Sequence, residues 1–130
     1  MRAKMSKDNQ QKAKGRDIQE RAFSFACRIA KLYQFLAKHR RSGEILGRQV
    51  LRSGTSIGAN LEKAKAAQSK PDFISKCNIA LKEARETYYW LRILIETEVV
   101  STDKLRELTN ESNELVAILT TIVKKSRLSR

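Results

Sequence analysis

Three features of the sequence predict an all-α fold, an antiparallel up-down-up-down four-helix bundle with a flexible basic N-terminal arm. Apolar residues recur at three-four spacing in four separate runs, the period of an amphipathic helix. One proline and five glycines in 130 residues leave few breakers. The runs are joined by short polar segments that carry capping residues, which favours antiparallel neighbours within a single domain.

The first run is Ile18, Ala22, Phe25, Ile29, Leu32 and Leu36, and it predicts a helix over 18–38. The cluster from His39 to Gly43 then ends it, with cations near the C-terminal dipole and a glycine able to turn left-handed. Residues 1–16 lack this periodicity and are expected to form the arm, leaving 17–128 for the bundle.

A second helix is expected over 44–68, on the stripe Leu46, Val50, Ser53, Ile57, Leu61 and Ala64. Its centre, Ser53 to Asn60, consists mostly of small residues. Gly54 and Gly58 each cost about 1 kcal/mol relative to alanine inside a helix, so close approach of a neighbouring backbone is the expected compensation.

Ser69-Lys70-Pro71-Asp72 is a helix start, with proline tolerated in the first turn and an acid near the positive end of the dipole. The third helix is predicted over 71–98, on Phe73, Cys77, Leu81, Ala84, Tyr88, Leu91 and Ile95, widened by Ala80, Thr87, Trp90 and Leu94. Ser101-Thr102-Asp103 is the next capping signal. The fourth helix follows over 102–125, on Leu105, Leu108, Ser112, Leu115, Leu119 and Ile122.

The formal charge of +13 is uneven along the chain. Residues 1–52 carry 14 basic and 4 acidic groups, residues 53–123 carry 9 and 10, and the remainder adds Lys124, Lys125, Arg127 and Arg130. No run approaches the roughly 18 apolar residues of a membrane span, and the first residues lack a signal-peptide core, so a cytoplasmic protein with no membrane partner is expected. Cys27 and Cys77 lack CxxC spacing and are expected as reduced, buried thiols.

The run Arg52-Ser53-Gly54-Thr55-Ser56-Ile57-Gly58-Ala59-Asn60, then Asp72-Phe73, Lys76, and Ile79-Ala80-Leu81-Lys82-Glu83-Ala84-Arg85-Glu86-Thr87 before Tyr89-Trp90-Leu91, resembles the signature of the bacterial 23S rRNA intervening-sequence proteins. The resemblance covers about residues 18–125. It implies a homo-oligomeric bundle, commonly a pentameric ring, without an established biochemical role. The bundle is also similar in kind to the accessory proteins of diversity-generating retroelements, basic helical rings that bind nucleic acid and a reverse transcriptase, although their sequence is not seen here.

Cations at Lys12, Lys14, Arg16, Arg40, Arg41, Arg48, Arg52, Lys124 and Lys125 are the candidates for binding RNA or DNA, because neutralising phosphates releases counterions whatever the sequence. No RNA-recognition, KH or zinc-finger pattern is present to read bases. Ser53, Asn60, Glu83 and Thr87 are expected to form a buried polar network between the second and third helices. The alternatives are a small-molecule pocket using Asn60, Glu83 and Arg85, or an oligomer interface. Tyr88, Tyr89 and Trp90 are expected in core or interface rather than stacking on bases.

Neither a metal site nor a cofactor is expected, since bundle metal sites use Glu-x-x-His pairs and the chain has only His39, at a helix end. With GxxxxGK[ST] absent and no strained glycine elbow, no catalytic residues are assigned and an enzyme is not expected. A non-enzymatic oligomer contacting nucleic acid is the leading expectation. The competing one is a scaffold that recruits a partner protein, with its charge serving solubility.

Overall fold

The structure, a computed structural model, describes the backbone of residues 7–39 and 41–129 and the side chains of residues 18–39 and 41–129. Four helices occur among the described residues: α1 (Lys7–His39), α2 (Arg41–Lys65), α3 (Lys70–Glu96) and α4 (Thr102–Leu128). Successive helices pack along their lengths, while α1 and α4 close the bundle with far fewer contacts. The expected all-α four-helix bundle is what forms.

The six apolar residues of the first run are all buried, as are Val50, Ser53, Ile57, Leu61 and Ala64 of α2. On α3 the buried edge runs through Thr87 and Leu94, while Tyr88 and Ile95 are half-buried. On α4 Val123 takes the buried place expected for Ile122. A helix turns 3.6 residues at a time, so a stripe extrapolated by alternating threes and fours drifts by one position near its end.

α1 starts at Lys7, ahead of the expected Ile18. Lysine, glutamine and alanine make up Gln10 to Lys14, and these favour helix by intrinsic propensity. Only residue 40 separates α1 from α2. Gly43 is not a left-handed cap, since no described glycine has positive φ. It lies buried within α2, where an added Cβ would sit 3.2 Å from the Leu36 carbonyl oxygen.

α2 ends at Lys65, short of the expected residue 68, because the next helix recruits the intervening residues for its cap. The Ser69 hydroxyl accepts from Asp72 N–H at 3.2 Å while the Asp72 carboxylate accepts from Gln68 N–H at 3.2 Å. This reciprocal arrangement is a capping-box variant, displaced by one residue on the return bond. Ser101 opens α4 by position, but its side chain makes no capping hydrogen bond.

α3 closes differently. Glu98 N–H donates to Ile95 C=O at 3.1 Å and Val99 N–H to Leu94 C=O at 3.4 Å, with Glu98 at φ 54. That is the Schellman pattern with glutamate where glycine is usual.

No helix among the described residues is long and apolar enough to cross a membrane. Cys77 is buried as expected, and burial raises its thiol pKa, but Cys27 is exposed. Cys27 lies two residues from both Phe25 and Ile29, about 200° round the helix from each, which turns it away from the core.

Candidate nucleic-acid interface

The antiparallel order sorts the cations by height along the bundle. The α1–α2 junction and the start of α4 share one end, whereas the α2–α3 junction and the end of α4 share the other. Arg41, at the first turn of α2, is exposed at the first end. Lys124 and Lys125 are exposed at the opposite end, beside Arg127. Among the described candidates, therefore, Arg41 lies at the opposite end from Lys124 and Lys125. Arg40 and the side chains of Lys12, Lys14 and Arg16 lie outside the described residues.

Two of the candidate arginines have carboxylate partners. Arg48 Nε donates to Glu44 Oε1 at 2.6 Å, one helical turn away, and this bond raises the guanidinium pKa further. The Arg48 side chain is still 71% exposed, which leaves it open to a phosphate. Arg52 reaches across the α2–α3 seam to Glu86 and, at 3.4 Å, to Glu83. Glu86 also accepts from Trp90 Nε1 at 3.1 Å. Arg52 is thus a strut between helices before it is a free cation.

The polar network resolves into smaller units. Thr87 Oγ1 donates to Ser53 Oγ at 2.9 Å and lies 2.7 Å from the Glu83 carbonyl oxygen, while Ser53 donates to Gln49 C=O at 3.0 Å. With one hydrogen on each hydroxyl, two of these three contacts are hydrogen bonds at a time, and the pair is satisfied without any charged group. Asn60 keeps to its own helix, its Nδ2 donating to Ser56 C=O at 2.8 Å. The Glu83 carboxylate turns to Arg52, and Arg85 is exposed. Among the described residues no hydrogen bond joins Asn60, Glu83 and Arg85 into one pocket.

Gly54 and Gly58 face α1. A Cβ on Gly54 would lie 3.0 Å from both Cγ1 and Cγ2 of Ile29, and one on Gly58 would lie 3.7 Å from Ala22. At Gly58 the α1 backbone is near but leaves room for a Cβ, while at Gly54 the close neighbour is a branched side chain. Between α1 and α2 an open groove of about 640 Å³ is lined by Gln19, Phe23, Ser24, Cys27 and Glu62, with Phe23 61% exposed. Tyr89 is exposed and meets half-buried Trp90 edge-on at 5.2 Å. No described group of three His, Cys, Asp or Glu residues could hold a metal.

The profile of the family described as 23S rRNA-intervening sequence protein matches residues 14–121. The chain belongs to this family. A crystal structure at 1.70 Å of a protein of unknown function from the S23 ribosomal protein family of Bacteroides thetaiotaomicron VPI-5482 is 45% identical. It superposes with a TM-score of 0.80 over 85% of this chain and 98% of that one. No curated protein matches the chain.

The family signature now has a structural meaning at several of its residues. Ser53 and Thr87 join α2 to α3, Gly54 and Gly58 seat α2 on α1, and Asp72 caps α3. Sequence reasoning missed a cluster on the side of the bundle where α1 meets α4. There Phe35 stacks on His39 with ring centroids 3.9 Å apart, and Lys104 Nζ lies 5.9 Å from the Phe35 centroid. Lys31, Phe35 and His39 are four residues apart and visible as a face, but Lys104 joins them only through the α1–α4 pairing.

Proposed function

We propose that this intervening-sequence family protein is a non-enzymatic, homo-oligomeric bundle that contacts RNA or DNA through basic surfaces. The observation that carries the proposal is the charge: a net +13 on a chain in which several described carboxylates are already held by arginines across the helix seams. Arg21 holds Glu111 and Glu114, Arg28 holds Glu107, and Arg52 holds Glu83 and Glu86. The excess cations, among them Lys38, Arg41, Lys124 and Lys125, are exposed at the bundle ends. A polyanion meeting them releases counterions, which gives affinity without base recognition. In a ring each patch would be repeated around one face, multiplying avidity.

Anisotropy titration of nuclease-treated protein with labelled RNA and DNA at several salt concentrations tests this. Affinity should fall steeply with salt and weaken in an Arg41→Ala/Arg48→Ala variant. No binding even at low salt would refute it.

Exposure of Phe23 beside the α1–α2 groove supports the self-associating part of the proposal, and equally a scaffold that recruits a partner protein. Phe23→Glu should shift the mass measured by light scattering toward monomer if copies of the chain meet there. An unchanged mass would place the oligomer seam elsewhere.

A further inference from the structure

We propose that the groove between α1 and α4 is a binding site for single-stranded nucleic acid, in which a base stacks against Phe35 while Lys31 and Lys104 meet the flanking phosphates. This rests on the nucleic-acid function proposed above and gives it a place and a substrate class. The groove, about 270 Å³, is floored by Leu32, Val100 and Leu108 and bordered by Phe35, Lys31 and Lys104. That volume is just below the roughly 300–1,000 Å³ of sites for whole small molecules, and suits a single planar ring.

Phe35 is 41% exposed although the core of α1 is complete without it. Its ring is ordered by stacking on His39, whose Nδ1 lies 2.6 Å from the Phe35 carbonyl oxygen. A carbonyl oxygen only accepts, so Nδ1 carries a hydrogen and the imidazole is fixed over the phenyl ring. A base entering the groove extends this two-ring stack. Base-on-aromatic stacking is tolerant of sequence, because every base has a π face.

The electrostatics select an anion. The acidic group on the groove is Glu107, already 3.3 Å from Arg28 Nη2, which leaves Lys31 and Lys104 exposed at its edge. Lys38 and Arg41 continue the positive surface toward the bundle end. A duplex buries its base faces in its own stack, so only an unpaired strand can offer a base to Phe35. A protein partner would not need an aromatic pair so closely bracketed by lysines.

The test uses the full-length, nuclease-treated protein with a fluorescein-labelled U12 strand and an RNA duplex of equal length, in titrations at low and moderate salt. Wild type should prefer the single strand. Phe35→Ala should weaken single-strand binding by about tenfold while leaving duplex binding nearly unchanged, and Phe35→Trp should restore it. Lys31→Ala/Lys104→Ala should weaken binding and flatten its salt dependence. Circular dichroism should show all variants folded, since none of the three side chains is buried. Salt-sensitive binding that is indifferent to Phe35, or that favours duplex, would overturn this site and leave the broader function standing. No binding by wild type to either RNA would overturn both.

Discussion

The Thr87 hydroxyl donates to the Ser53 hydroxyl at 2.9 Å inside the seam between α2 and α3, and both side chains are fully buried. Each also lies within hydrogen-bond reach of a carbonyl of its own helix, Glu83 or Gln49. Thr87→Val keeps the shape and leaves Ser53 with Gln49, so it should cost about 1 kcal/mol rather than the larger penalty of an orphaned polar group. Ser53→Ala should cost a similar amount. Because both changes remove one shared bond, the double variant should lose about 1 kcal/mol less than the sum, measured by urea unfolding. Strict additivity would show that the inter-helix bond contributes nothing.

Gly54 and Gly58 predict opposite outcomes for the same substitution. Gly54→Ala places a Cβ 3.0 Å from two branches of Ile29, a stiff β-branched side chain, so overpacking of roughly 1–3 kcal/mol should outweigh the helix gain. Gly58→Ala meets Ala22 at 3.7 Å, ordinary contact, and should stabilise by up to about 1 kcal/mol. Thermal melts of the two variants should move in opposite directions.

Those glycines show how far the sequence could be read. Their cost in a helix made a close neighbour necessary, and four-residue spacing put them on one face, but the neighbour's identity depends on how α1 slides along α2. The same holds for the basic residues. Arg41, Arg48 and Arg52 are close in sequence, yet Arg52 meets Glu83 and Glu86 because α3 packs there. Helix periods were legible because they repeat locally, and the aromatic–lysine groove was not, because Phe35 and Lys104 meet only after the last helix closes the bundle.

Glu98 occupies the left-handed position of the α3 cap at φ 54. A side chain there costs roughly 1–2 kcal/mol relative to glycine, partly offset by the greater freedom of glycine in the unfolded chain. Glu98→Gly should therefore raise stability by about 0.5–1 kcal/mol and the melting temperature by a few degrees. An unchanged or lower melting temperature would mean that the cap is not held in this conformation in solution.

Asp72 carries a pH dependence whose direction is fixed by its partners. The hydrogen bond from Gln68 N–H, and then Lys76 at 3.3 Å, hold its pKa below the ordinary carboxylate value. A group with a depressed folded pKa contributes stability that is present above its unfolded pKa, roughly 3.9, and lost as pH falls through the folded pKa. Wild type should exceed Asp72→Asn in stability at pH 7, and the difference should shrink as the pH is lowered below about 4. A difference that persists unchanged at pH 2 would assign the effect to the shape of the cap rather than its charge.

Arg52 separates a structural cation from a binding one. Its guanidinium bridges Glu83 and Glu86 from α2 to α3 with half of its side chain exposed, so solvent screens the pair. Removing it leaves two carboxylates on successive turns of α3, one of them still held by Trp90 Nε1 at 3.1 Å. Arg52→Ala should lower stability by about 0.5–1 kcal/mol, with the loss reduced in high salt. It also frees the negative charge of Glu83 and Glu86, whereas Arg41→Ala removes an exposed cation with no such consequence for the seam. If the cations act on RNA by exposure, Arg41→Ala should weaken RNA binding without altering the melting temperature, and Arg52→Ala should chiefly alter the melting temperature. The reverse pattern would make Arg52 a phosphate contact that leaves its carboxylates when RNA arrives.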